Sequence, residues 1–79
     1  MPKSGPAYEA LIEILIAERE AAGLTQRELA ERLNRLHSFI GKIETGTRHI
    51  NVIEFIEVAR ALNVEPTRLL AKVVKATGL

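Results

Sequence analysis

Seventy-nine residues with a formal net charge of +1 and 47% hydrophobic residues make one small domain, near the lower size limit for an adequate core, so oligomerisation would help it. The chain has no cysteine, which excludes a disulfide framework and a Cys-based zinc site, and its two histidines, His37 and His49, lie too far apart for an HExxH zinc pair. No apolar run nears the roughly 18 residues of a membrane helix and residues 1–7 lack a signal-peptide core, so a cytoplasmic location is expected, with no membrane partner.

Residues 1–6, MPKSGP, have little to bury and read as a flexible tail ahead of a domain over 7–76. Helix 1 is expected from Ala7 or Tyr8 to Ala22, with Tyr8, Leu11, Ile12, Leu15 and Ile16 at three- and four-residue spacing and Gly23 as its stop. Arg19 falls at the edge of that apolar stripe, where an unpaired charge would be costly. Thr25 with Glu28 three positions later is a capping box, so helix 2 spans about Gln26 to Leu33, with Leu29, Ala30 and Leu33 inward. Asn34 breaks the pattern, because asparagine tolerates the left-handed conformation that ends a helix.

A second apolar stripe restarts at Leu36 and continues through Ile40 and Ile43, predicting helix 3 over about His37 to Thr45 with Gly46 closing it. Phe39 falls between faces, over the turn. His37, Ser38, Gly41 and Lys42 point outward. Residues 46–51 form a loop. Helix 4 starts at Asn51 as N-cap with Glu54 as its partner, and ends near Leu62 with Asn63 as a left-handed stop. Its expected core face is Val52, Phe55, Ile56, Ala59 and Leu62. Helix 5 begins with Pro66 at its first position and carries Leu69, Leu70, Val73 and Val74, while residues 77–79 fray. That apolar side is wide for one helix, so Leu70, Val73 and Val74 are candidates for a homodimer interface, or for one part to wrap back onto helix 1.

Helix, short turn, helix, stop over residues 25–46 is the outline of a DNA-binding helix-turn-helix. The run TQRELAERL, then SFIGKIETG, then IEFIEVARAL resembles the phage-repressor, or XRE-like, helix-turn-helix family (the lambda repressor and Cro group), over roughly residues 10–72. The resemblance implies an all-α, five-helix fold with the helix-turn-helix at helices 2 and 3. It also implies an Arg19–Glu44 ion pair tying helix 1 to helix 3. It assigns phosphate contacts to Gln26 and, by backbone N–H and side chain, to Thr47 and Arg48; it places base contacts at His37, Ser38, Gly41 and Lys42. Arg35, in the turn, can reach the DNA backbone. Gly41 costs up to about 1 kcal/mol relative to alanine. Close approach of the helix to the DNA is one compensation, and a site that is simply not read is the other.

Charge distribution agrees with this better than net charge does. Between residues 32 and 49, Arg32, Arg35, Lys42 and Arg48 face Glu44 alone, whereas Glu9, Glu13, Glu18 and Glu20 gather in helix 1. The expected function is a sequence-specific double-stranded DNA-binding transcriptional regulator, a repressor, acting as a homodimer on a two-fold operator. It takes no cofactor and carries no further sensing domain, like short phage repressors or restriction–modification controllers. The alternative is an antitoxin-type module whose helix 5 binds a partner protein. Enzyme chemistry is not expected, because the chain carries no nucleophile–base set and no phosphate-cradling glycine loop.

Overall fold

The computed structural model describes residues 5–79; of the expected tail, residues 1–4 lie outside the described residues. Five helices follow one another: α1 Pro6–Ala21, α2 Gln26–Arg32, α3 Ser38–Glu44, α4 Val52–Ala61 and α5 Pro66–Thr77. Helix α1 starts earlier than the spacing predicts, because Gly5 caps it and Pro6 supplies a first-turn residue whose φ is already helical. None of the five is long and apolar enough to cross a membrane.

The first four helices end in one and the same way. A left-handed residue at Gly23, Asn34, Gly46 or Asn63 lets the chain turn back. In each case two backbone N–H groups then reach the last-turn carbonyls, as Gly23 N to Glu20 O (2.9 Å) and Leu24 N to Arg19 O (3.2 Å) do after α1. Both predicted capping boxes are present, at Thr25/Glu28 and Asn51/Glu54. Capping boxes thus start α2 and α4, and left-handed residues stop the first four helices.

The core gathers Ile12 and Leu15 from α1, Leu29 and Ala30 from α2, Phe39, Ile40 and Ile43 from α3, Phe55, Val58, Ala59 and Leu62 from α4, and Leu69 from α5. Three expected core residues lie elsewhere. Leu36 is 81% exposed, because it sits in the turn ahead of α3, where its carbonyl accepts the Phe39 N–H; Phe39, not Leu36, fills the core there. Val52 and Ile56 are exposed, because α4 turns Phe55, Val58, Ala59 and Leu62 inward, and Val58 takes the place assigned to them. Helix α5 packs chiefly along α1 through Leu69, leaving Leu70 and Val74 exposed and Val73 half-buried. It runs through Thr77, with Gly78 left-handed behind it.

Candidate nucleic-acid interface

Helix α3 is held by a polar network at its C-terminal end. Arg19 meets Glu44 edge-on, with Nε donating to Oε2 at 2.7 Å and Nη2 to Oε1 at 3.1 Å, while its Nη1 donates to the Leu24 carbonyl at 2.7 Å. Both side chains are nearly buried, at 11% and 7% exposure. Gln26 adds a third donor, its Nε2 lying 2.8 Å from Glu44 Oε1. One carboxylate on α3 therefore fastens α1 and the start of α2 at once.

The Gln26 amide also lies beside Gly41. A β-carbon built on Gly41 would lie 3.2 Å from Gln26 Oε1, so the close neighbour is this side chain of the same protein. The amide end is flexible and can give way by a few tenths of an ångström. Gly41→Ala should therefore raise stability by about 0.5 kcal/mol, the helix-propensity gain of up to ~1 kcal/mol reduced by weakening one exposed hydrogen bond. Urea unfolding reads this directly, and a loss of stability would show that Gln26 cannot move aside.

His37, just ahead of α3, and Ser38 and Lys42 on it are all exposed. His37 occupies the position just before the helix, with its Nε2 3.4 Å from Glu31 Oε2. Lys42 makes no ion pair among the described residues. The loop behind α3 departs from expectation. The N–H groups of Thr47 and Arg48 both donate to the Lys42 carbonyl, at 3.0 and 3.1 Å, and the Thr47 hydroxyl donates to it at 3.1 Å. Capping α3 thus uses both backbone donors and the Thr47 hydroxyl within the protein.

Arg35 and Arg48 converge on an acid assigned only a capping role by its spacing. Glu54 is 5% exposed. Arg48 Nη1 and Nη2 donate to its two oxygens at 2.8 and 2.7 Å, and Arg35 Nη1 lies 3.5 Å from Oε2. Arg35 also pairs with Glu57 at 3.2 Å. Both guanidinium groups rest against the Phe39 ring, 4.6 Å (Arg35) and 4.9 Å (Arg48) from its centroid. The basic surplus counted over residues 32–49 is therefore partly neutralised by α4. No spacing rule pairs position 54 with positions 35 and 48; the one available signal was an acid with two apolar residues on each side, Val52 and Ile53 before it and Phe55 and Ile56 after it.

The bonds from Arg48, with the Asn51 N–H and the Arg35 charge, hold the Glu54 carboxyl down at about 2. Because that value lies below the unfolded one, the contribution is complete above the ordinary carboxylate range near 4.5 and is lost as pH falls toward 2. Glu54→Gln should cost about 2 kcal/mol at pH 7 and flatten the dependence of stability on pH between about 4.5 and 2. Urea titrations at pH 7, 4 and 3 check it: equal losses at every pH would contradict the assignment.

A recognition-type helix with outward polar residues, braced from behind and flanked by arginines, has counterparts among known proteins. The helix-turn-helix family model of the XRE type matches residues 15–69. The chain belongs to this family. XRE-type helix-turn-helix proteins are DNA-binding transcription regulators. An HTH-type transcriptional regulator of Sinorhizobium fredii, y4dL, is 40% identical over 57 residues, which is 72% of this chain. The chain spans 29% of that relative's length. An XRE-family-like protein from Pseudomonas syringae pv. tomato superposes with a TM-score of 0.84 and 44% identity, over 90% of this chain and 87% of that one. The clp gene regulator ClgR of Corynebacterium glutamicum, at 24% identity and TM-score 0.78 over 96% and 81% of the two chains, shares the XRE-type fold.

Proposed function

We propose that this XRE-family chain represses transcription by binding a two-fold operator in duplex DNA as a homodimer, with α3 in the major groove. The observation that carries this reading is the set His37, Ser38 and Lys42, exposed together on a helix that Arg19, Gln26 and Glu44 hold rigidly from behind. Lys42 donates to a guanine edge or a phosphate, and His37 and Ser38 can each donate or accept at a base edge. Gln26, Arg35, Thr47 and Arg48 supply side-chain contacts to phosphates and much of the salt-dependent affinity. Gly41 lies under Gln26, so its part is to let that side chain approach.

The dimer reading is supported by apolar surface on one side of α4 and α5. Val52, Ile53, Ile56, Leu70 and Val74 are all exposed. Val52, Ile56 and Leu70 border a cleft of about 290 Å³ with Phe55 and Val73 in its wall. Surface of this extent suits self-association, and a two-fold axis there would set two α3 helices about 34 Å apart, one turn of DNA. An antitoxin-type partner would use the same surface, and a monodisperse dimer of the protein expressed alone would count against it.

The test is selection of binding sites from a random duplex pool with the full chain, followed by anisotropy titrations across a salt series. A recovered inverted repeat, bound about 10³-fold or more above a scrambled duplex with a steep negative salt slope, supports the proposal. No enrichment even at low salt removes it.

A further inference from the structure

We infer that Glu54 is a positioning residue for the DNA backbone, orienting Arg48 and Arg35 in a fixed place relative to α3. The inference rests on the DNA-binding reading above. The capping motif is not what buries Glu54, since Glu28 caps α2 in an equivalent box and stays exposed. What distinguishes Glu54 is the pair of arginines it gathers. Its Oε1 accepts from Arg48 Nη1 and from the Asn51 N–H at 3.1 Å, and its Oε2 accepts from Arg48 Nη2 with Arg35 beside it.

This grip leaves Arg48 with a defined remainder. The guanidinium meets the carboxylate end-on, and Nη1 also donates to the His49 carbonyl at 3.1 Å. Its Nε–H and the second Nη2 hydrogen have no acceptor among the described residues; they form two parallel donors along one edge. Such an edge matches two oxygens of one phosphate, and the side chain is 40% exposed. Phe39 is the second residue of α3, and both guanidinium groups lie against its ring. The phosphate-facing edge is thereby registered to the helix that carries Ser38 and Lys42. A free arginine would have to be immobilised on binding, and Glu54 has already immobilised this one.

The experiment is a double-mutant cycle on the selected duplex, with Glu54→Gln, Arg48→Ala and the two combined, at a temperature where circular dichroism shows all four proteins folded. Glu54→Gln in the wild-type background should weaken operator binding about tenfold, and should have a clearly smaller effect when Arg48 is already alanine, the remainder acting through Arg35. A purely structural role would weaken both backgrounds equally. Equal, additive losses would overturn the inference, and so would a Glu54→Gln protein that binds as tightly as wild type or more tightly. Should Glu54→Gln not fold, Arg48→Lys decides. It keeps the charge but has no second edge, and unchanged affinity would sink the idea. Wild-type protein that enriches no duplex at all would remove the DNA reading and this inference together, whereas enrichment with additive losses removes this inference alone.

Discussion

Replacing Arg19 with alanine is expected to cost about 3–5 kcal/mol, the range for removing one partner of a buried ion pair. The loss has three sources. Glu44 would keep its charge at 7% side-chain exposure with only the Gln26 amide beside it. The Leu24 carbonyl would lose its side-chain donor, and with it the brace behind α2. The contact between the end of α1 and the end of α3 would go as well. For a domain of this size about 3 kcal/mol lowers the melting temperature by 12 °C or more, on the order of 4 °C per kcal/mol. Replacing both members, as Arg19→Met with Glu44→Leu, should recover much of the loss, since an apolar pair leaves no charge uncompensated. Thermal melts of the single and double variants check this. If Arg19→Ala and Arg19→Met both melt with the wild type, the pair does not hold the domain together.

The second large effect is expected on DNA binding, from residues remote from α3. Leu70 and Val74 are exposed on α5, so glutamate at both positions should leave the monomer folded. Charges there oppose burial of the same face in a dimer. A protein held as a monomer binds each half-site independently and loses the gain from linkage, at least about 10²-fold in affinity for the full operator. Sedimentation velocity reads the oligomeric state, and titrations on whole and half operators read the linkage. Half-site affinity should not change. A double variant that stays dimeric and binds the full operator like wild type would exclude α5 as the interface.

Much of the fold was legible from local chemistry. Thr25/Glu28 and Asn51/Glu54 each satisfy backbone donors within four residues, and Gly23, Asn34, Gly46 and Asn63 each permit the left-handed turn that ends a helix. These interactions span a few residues, so spacing alone reveals them. The Arg19–Glu44 pair was legible for a different reason: the motif around Glu44 resembles a family in which it occurs, while the bare pattern shows only an arginine beside an apolar stripe.

At the candidate interface the sequence identified residue types and missed their partners. His37, Ser38 and Lys42 face outward as their helical period predicts. Arg35 and Arg48 carry the positive charge counted for them, but Glu54 and Glu57 on another helix share it. Gly41 was read only for its outward side, and on its protein side it lies beside Gln26. These contacts span from 6 residues, for Arg48 and Glu54, to 22, for Arg35 and Glu57, and no periodicity encodes them.

The sequence by itself determined the five helices, their starts and stops to within a residue or two, and the family to which the chain belongs, because caps, left-handed stops and apolar periods act within about one helical turn. Only the tertiary structure decided which apolar residues remain outside, since Leu36, Val52 and Ile56 have the chemistry of a core and are excluded by where the turn and α4 come to lie. It alone decided that the Lys42 carbonyl takes the backbone donors of the following loop, and that one buried glutamate organises two arginines against Phe39. Both depend on how helices pack against each other, and packing is a property of the assembled chain.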